Sequence, residues 1–108
     1  MRFADSVDAA AGAEMSIRLH GDFNGLFGDL LCLSHSDVAI DDSGNSMPLR
    51  AGMEVVAFEE DAENGQRCFL VARGRVVPPP ESLQHRGSRW CLLIDPQGVR
   101  TVPTLDDV

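Results

Sequence analysis

The chain predicts an all-β fold, a small closed or nearly closed barrel of about six or seven short strands, and three observations carry that prediction. Apolar and polar residues alternate over short runs, the signature of half-buried strands. The runs are separated by turn chemistry, most clearly Asn64-Gly65 and Asp95-Pro96-Gln97-Gly98. No stretch carries the apolar spacing of an amphipathic helix. A chain of 108 residues is expected to form one domain, with enough buried surface to need neither metal nor disulfide.

Residues 1–13 read as a flexible lead-in, residues 14–103 as the β domain and residues 104–108 as an acidic tail. Ser16 to Phe23 alternates cleanly, with Ile17, Leu19 and Phe23 on one face and Arg18, His20 and Asp22 on the other. Asn24 to Asp29 is a glycine-punctuated loop whose Leu26 and Phe27 are expected to plug the end of the barrel, with an exposed hydrophobic contact as the functional alternative. Leu30 to His35 is apolar on both faces, and its length favours strand over helix. Val38–Ile40 and Ser46–Leu49 form a short hairpin around Asp41 to Asn45, with Pro48 restricted to an edge or strand end because it lacks an amide donor.

Gly52 to Val77 is the strongest signal, a long hairpin closed by Asn64-Gly65. In its second strand Cys68, Leu70, Ala72 and Val76 are expected to face inward, leaving Arg67, Phe69, Val71, Arg73 and Arg75 on the other face. Gly74 suits a bulge or a sharp bend. The prolines at 78–80 stop the strand, and Pro78 to Ser88 is a loop long enough to be a candidate functional segment. Arg89 to Asp95 is a strand with Trp90, Leu92 and Ile94 on one face, and Val99 to Val102 returns.

Charge and composition exclude several functions. Residues 1–63 carry 13 acidic and 3 basic groups and residues 64–108 carry 4 and 6, for a net charge of −8. Such a chain repels polyanions, which disfavours duplex DNA and anionic membranes as partners. All nine basic residues are arginine and there is no lysine or tyrosine, so Schiff-base, P-loop-lysine and tyrosine general-acid mechanisms are excluded. Cys32, Cys68 and Cys91 cannot all pair with one another and each sits in an apolar run, which points to buried thiols in a reduced, cytosolic protein. No run is long enough to span a bilayer, and Met1 to Ala13 lacks the apolar core of a signal peptide.

Gly52-Met53-Glu54-Val55, the acidic loop Glu59 to Gly65, and Leu70-Val71-Ala72-Arg73-Gly74-Arg75-Val76 together resemble small bacterial SH3-like β-barrel domains. The resemblance covers about a third of the chain. It implies a partly open SH3-like barrel, alternatively an OB-like one, and a binding role rather than a chemistry.

Motifs for catalysis are missing: there is no G-x-S-x-G, no H-E-x-x-H and no glycine-rich phosphate loop. His20 and Asp22 share a polar strand face without a nucleophile. Cys32-Leu33-Ser34-His35 has the C-x-x-H spacing of a zinc knuckle but no second short pair, so no metal and no cofactor are expected. The acidic turns at 41–45 and 59–65 lack the ligand register of an EF-hand. The chain is therefore expected to be non-enzymatic.

What remains is arginine. Arg67, Arg73 and Arg75 with Phe69 and Val71, together with Arg86, Arg89 and Trp90 around the long loop, are the candidate partner-binding residues. The first expectation is a protein or peptide partner held on that face or at a sheet edge, with self-association through the same edge as a variant. The second is a single-stranded nucleic acid or phosphate ligand on the arginines and Trp90. The third uses the acidity, as immunity-type inhibitors of basic proteins do. Cross-strand pairing of the arginines with the acid-rich half, at Glu54 or Glu60, accounts for the same residues without any partner.

Overall fold

A computed structural model of the chain describes residues 17–108; the lead-in expected over 1–13 lies outside the described residues. The fold is all-β. Its strands are β1 (Ile17–His20), β2 (Leu26–Phe27), β3 (Leu30–Ser34), β4 (Val38–Ile40), β5 (Ser46–Pro48), β6 (Glu54–Glu63), β7 (Gln66–Val77), β8 (Trp90–Ile94) and β9 (Arg100–Val102). Among the described residues one α-helical turn, α1 (Glu81–Gln84), lies in the long loop.

Seven strands form one mixed sheet in the order β1-β6-β7-β8-β3-β2, with β9 added to β7, while β4 and β5 pair separately. The path runs from β1 to β2 without closing on itself, so the mixed sheet is not the closed barrel that the strand pattern allowed. The pairing of β1 with β6 is parallel, which no count of turns and strands reveals, because Gly21 to Met53 intervenes between the two.

The β6–β7 hairpin is the spine. Its register runs without interruption from Glu54↔Arg75 to Glu63↔Gln66. Asn64 and Gly65 both take positive φ, 54° and 80°, the two-residue turn whose twist matches that of the flanking strands. Past β7 the neighbour changes. β9 pairs with Phe69 to Val71 and β8 pairs with Gly74 to Val77. Gly74 therefore sits where β8 arrives, and a Cβ there would collide with the Leu93 carbonyl. The glycine serves a close backbone approach, not the bulge expected, since the ladder to β6 keeps its register.

Two cores flank the hairpin. The larger joins Leu19, Leu31, Val55, Ala57, Ala72, Val76, Leu92 and Ile94, with Trp90 and Phe23 packed against it. The smaller joins Val56, Phe58, Val71 and Val102, with Phe69, Leu105 and Val108 against it. β6 is thus buried on both faces, with Val55 and Ala57 on one side and Val56 and Phe58 on the other. Residues 104–108 are part of this second layer. Thr104 caps a 3-10 turn at Leu105–Asp107, accepting from the Asp106 amide, and Leu105 and Val108 pack on the sheet.

Leu26 and Phe27 depart from expectation as well. They form edge strand β2 against Leu31 and Leu30 and stay 38% and 39% exposed, so they do not plug the fold. Among the described residues no helix is long and apolar enough to cross a membrane.

Candidate functional site

The arginine face expected along β7 is not an open surface. Val71 alternates with the arginines as the strand period requires, yet it is fully buried because β9 and the chain end fold over it. Phe69 is half-buried in the same layer. Arg67 is ion-paired with Glu60 and lies 5.9 Å from the Phe69 ring centroid. Arg73 has a partner within the chain. Arg75 stands opposite Glu54 in the ladder and lines a small groove with Leu93, Asp95 and Pro96.

Arg86, Arg89 and Trp90 lie apart from that row. Arg86 stacks over Phe27 at 4.8 Å. Arg89 pairs with Asp37 at 3.0 Å and covers the Trp90 ring at 4.5 Å. The indole N–H of Trp90 is buried without an acceptor among the described residues. Cross-strand and long-range pairing with carboxylates thus occupies much of the set, and a continuous arginine and aromatic platform is absent from the described surface. The burial of Val71 is a correction to its expected place among partner-binding residues; its role is packing.

A different surface emerges at the hairpin's far end. The ladder of β1 on β6 ends at His20↔Phe58 and that of β9 on β7 begins at Phe69. Beyond these points the hairpin continues as a two-stranded arm, and residues 60–67 are all exposed. Among the described residues no strand pairs with the outer edge of β6 from Glu59 to Glu63. Glu59 accepts a bond from the Phe23 amide at 3.0 Å and Glu60 holds Arg67, which leaves Asp61 and Glu63 facing solvent on the arm. The acidic turn at 41–45 is internally satisfied: Asp41 Oδ1 accepts from the Ser43 and Asn45 amides at 2.9 and 2.8 Å, and Asp42 pairs with Arg18 at 3.2 Å.

A polar constellation lines a cleft of about 450 Å³ between the β1 end and the long loop, formed by His20, Asn24, Phe27, Cys32, His35 and Arg86 among others. That volume is in the range of small-ligand pockets. A straight strand would put Cys32 and His35 on opposite faces, because side chains three apart alternate. A bulge at Leu33 undoes this. Cys32 pairs with Cys91 but Ser34 already pairs with Trp90, so one extra residue on β3 returns His35 to the face of Cys32.

The long loop then closes on the pair. Leu83 of α1 is buried, the Ser88 amide bonds the Leu83 carbonyl at 3.0 Å, and the Arg89 amide bonds the Ser34 carbonyl at 2.9 Å. Anchored this way, Ser88 Oγ donates to Cys32 Sγ at 3.0 Å. The Gly87 carbonyl lies 2.9 Å from His35 Nδ1. A carbonyl only accepts, so Nδ1 carries a proton and, in the neutral ring, Nε2 presents its lone pair. Nε2 is 3.8 Å from Cys32 Sγ.

His20 and Asp22 do not form a dyad: His20 stacks on Phe58 at 4.4 Å, and Asp22 caps the following 3-10 turn by accepting from the Asn24 amide. Burial pushes the Cys91 thiol pKa up, the charge of Cys32 adds to this, and the Ser88 hydrogen bond opposes it. Among the described residues no group of three or more His, Cys, Asp or Glu side chains is placed to hold a metal ion.

The C-x-x-H spacing of Cys32 and His35 is visible in the sequence, but without further ligands it points to no site. The partners that the spacing misses, Ser88 and the Gly87 carbonyl, come from the long loop, and the signal for them was only that the loop is long. Compared with protein-family models, with curated proteins and with solved structures, the chain matches none.

Proposed function

We propose that the protein is a non-enzymatic interaction module that binds a basic protein or peptide segment along the β6–β7 arm. One observation carries this reading: β6 runs on past β1 with an open outer edge whose exposed side chains are acidic. An extended peptide added there would continue the ladder that β1 leaves at His20, with main-chain hydrogen bonds for affinity and Asp61 and Glu63 to select positive charge. The net charge of −8 would steer such a partner from a distance. Like charges on the arm disfavour a second copy as the occupant.

The resemblance to SH3-like domains enters this reading as support for a binding role, resting on Gly52–Val55, the 59–65 loop and residues 70–76. Three free cysteines support a reducing, cytosolic setting. The nucleic-acid alternative has less to stand on, because Arg89 and Asp37 occupy the face of Trp90 and its neighbourhood.

The test is fluorescence polarisation with three labelled probes: an alternating lysine–valine peptide, an alternating glutamate–valine peptide and a single-stranded oligonucleotide. Binding of the first alone is expected, weakening as salt rises. Asp61→Lys with Glu63→Lys should lower that affinity by about tenfold or more, the scale of two charge contacts at a rim. Both positions are solvent-facing, so the variant should fold. Equal affinity in the variant, or binding of the oligonucleotide instead, sinks the reading.

A further inference from the structure

The cleft thiol has a second thiol directly across the ladder. Cys32 and Cys91 are register partners on β3 and β8. The Ile94 amide bonds the Asp29 carbonyl, which makes Leu30↔Leu93 a non-hydrogen-bonded pair and, two residues along, makes Cys32↔Cys91 another. Such pairs hold their Cα atoms about 4.5 Å apart with side chains on the same face, within the span a disulfide bridges. The two thiols differ in environment. Cys32 lines the cleft and is partly exposed, whereas Cys91 is fully covered beneath it.

We propose that Cys32 is a hydroperoxide-reactive thiol and that Cys91 is its resolving partner. His35 Nε2 takes the Cys32 thiol proton, and the thiolate attacks the terminal oxygen of the hydroperoxide. The S–O bond forms, the O–O bond breaks, and the departing alkoxide or hydroxide takes the proton back from His35. Ser88 Oγ donates to the sulfur throughout the approach, and the Gly87 carbonyl holds the imidazole in the tautomer that the proton transfer needs.

Cys91 sulfur then attacks the Cys32 sulfenic acid. The S–S bond forms, the S–O bond breaks, and the leaving hydroxide combines with the Cys91 proton as water. Two thiols lose two electrons and one hydroperoxide gains them, giving one disulfide, one alcohol (or water) and one water. The event is stoichiometric, and the disulfide persists until a separate dithiol reduces it.

Cys68 is the internal control. It is on β7, pairs in register with Asp61, and has neither a histidine nor a second cysteine as a hydrogen-bond partner among the described residues.

The experiment treats the full reduced chain with hydrogen peroxide near neutral pH and follows free thiols, intact mass and peptide maps. Two thiols should disappear per chain, with a mass lower by two hydrogens and a single Cys32–Cys91 cross-link within one chain. Cys91→Ser should instead accumulate a dimedone-reactive sulfenic acid at Cys32. His35→Asn, shown folded by Trp90 fluorescence, should slow the reaction by about tenfold or more. The proposal is overturned if wild-type thiols all oxidise at the rate of free cysteine, if the cross-link involves Cys68 or joins two chains, or if His35→Asn reacts as fast as wild type. The wild-type peptide map decides the pairing even where a variant fails to fold.

Discussion

Val71→Ala separates two accounts of β7 that differ in the size of the stability loss they predict. As one member of an exposed arginine and aromatic face, Val71 could lose two methyl groups with a stability change inside about 0.5 kcal/mol, the usual range for surface positions. In the structure it is 0% exposed and contacts the layer of Val56, Phe58 and Val102. Removing two buried methyls costs about 1.6 kcal/mol in transfer alone, and a partly uncollapsed cavity raises this to roughly 2–3 kcal/mol. For a domain of this size each kcal/mol moves Tm by about 4–8 °C, so a fall of roughly 10–20 °C is expected. Urea unfolding followed by Trp90 fluorescence measures it, since the only tryptophan packs against the other core and reports global loss of structure. The midpoint should fall with the slope unchanged. Val102→Ala should behave alike, and the double variant should lose less than the sum because the two side chains share one cavity. A loss below about 0.5 kcal/mol for Val71→Ala would mean that the chain end does not cover β7, and the smaller core would not exist as described.

Three further outcomes are expected. Gly74→Ala should cost about 3 kcal/mol or more, because its Cβ must displace the Leu93 backbone and with it the β7–β8 ladder; a thermal scan within about a degree of wild type contradicts that crossing. Trp90→Phe should be tolerated unusually well for a large half-buried ring packed on the core, with a loss under about 1 kcal/mol, because it removes an indole N–H that is buried without an acceptor among the described residues; chemical unfolding followed by circular dichroism reads it, and a loss above about 3 kcal/mol would show that the N–H is satisfied after all. Alkaline pH should destabilise the fold. Burial raises the pKa of the Cys91 thiol, and burial together with Asp61 and Glu63 raises that of Cys68, so the unfolded chain ionises first as pH passes about 8.5 and then holds fewer protons than the native state. Stability is therefore complete below that pH and falls above it, and the urea midpoint at about pH 10 should drop less in a Cys68→Ala, Cys91→Ala variant than in wild type.

Local rules made the hairpins legible. Asn64-Gly65 has one low-energy way to join two twisted strands, and the structure uses it. The alternation of Trp90, Leu92 and Ile94 likewise leads to one core face. What stayed hidden needed contacts distant in sequence. Period-two alternation says that Val71 and Ala72 face opposite ways, but not that both ways are inside. That depends on β9 and Leu105 folding back, which a sequence reader meets only as an acidic chain end. The arginines show the same limit: Arg89 finds Asp37 across 52 positions, and no local pattern pairs them.

The bulge at Leu33 and the arm beyond Phe58 are two answers to one geometric problem. A sheet that does not close has edges, and open edges invite unwanted pairing. At the β3 side the edge strand β2 covers only Leu30 and Leu31, and the bulge in the β3–β8 ladder turns the chain so that His35 returns over Cys32. On the β6 side the edge stays regular, but carboxylates line it from Glu59 to Glu63. A two-stranded ribbon in water is marginally stable on its own, so Asp61 to Glu63, which lie beyond both β1 and β9, gain little from the extension, and a hairpin shortened by them would leave both cores intact. On the proposed reading, this length, charged so that it repels its own copies yet attracts basic chains, serves a partner and not the fold. The same logic distinguishes the arm from the arginines of β7, whose neighbours Val71 and Phe69 are already committed to the second core.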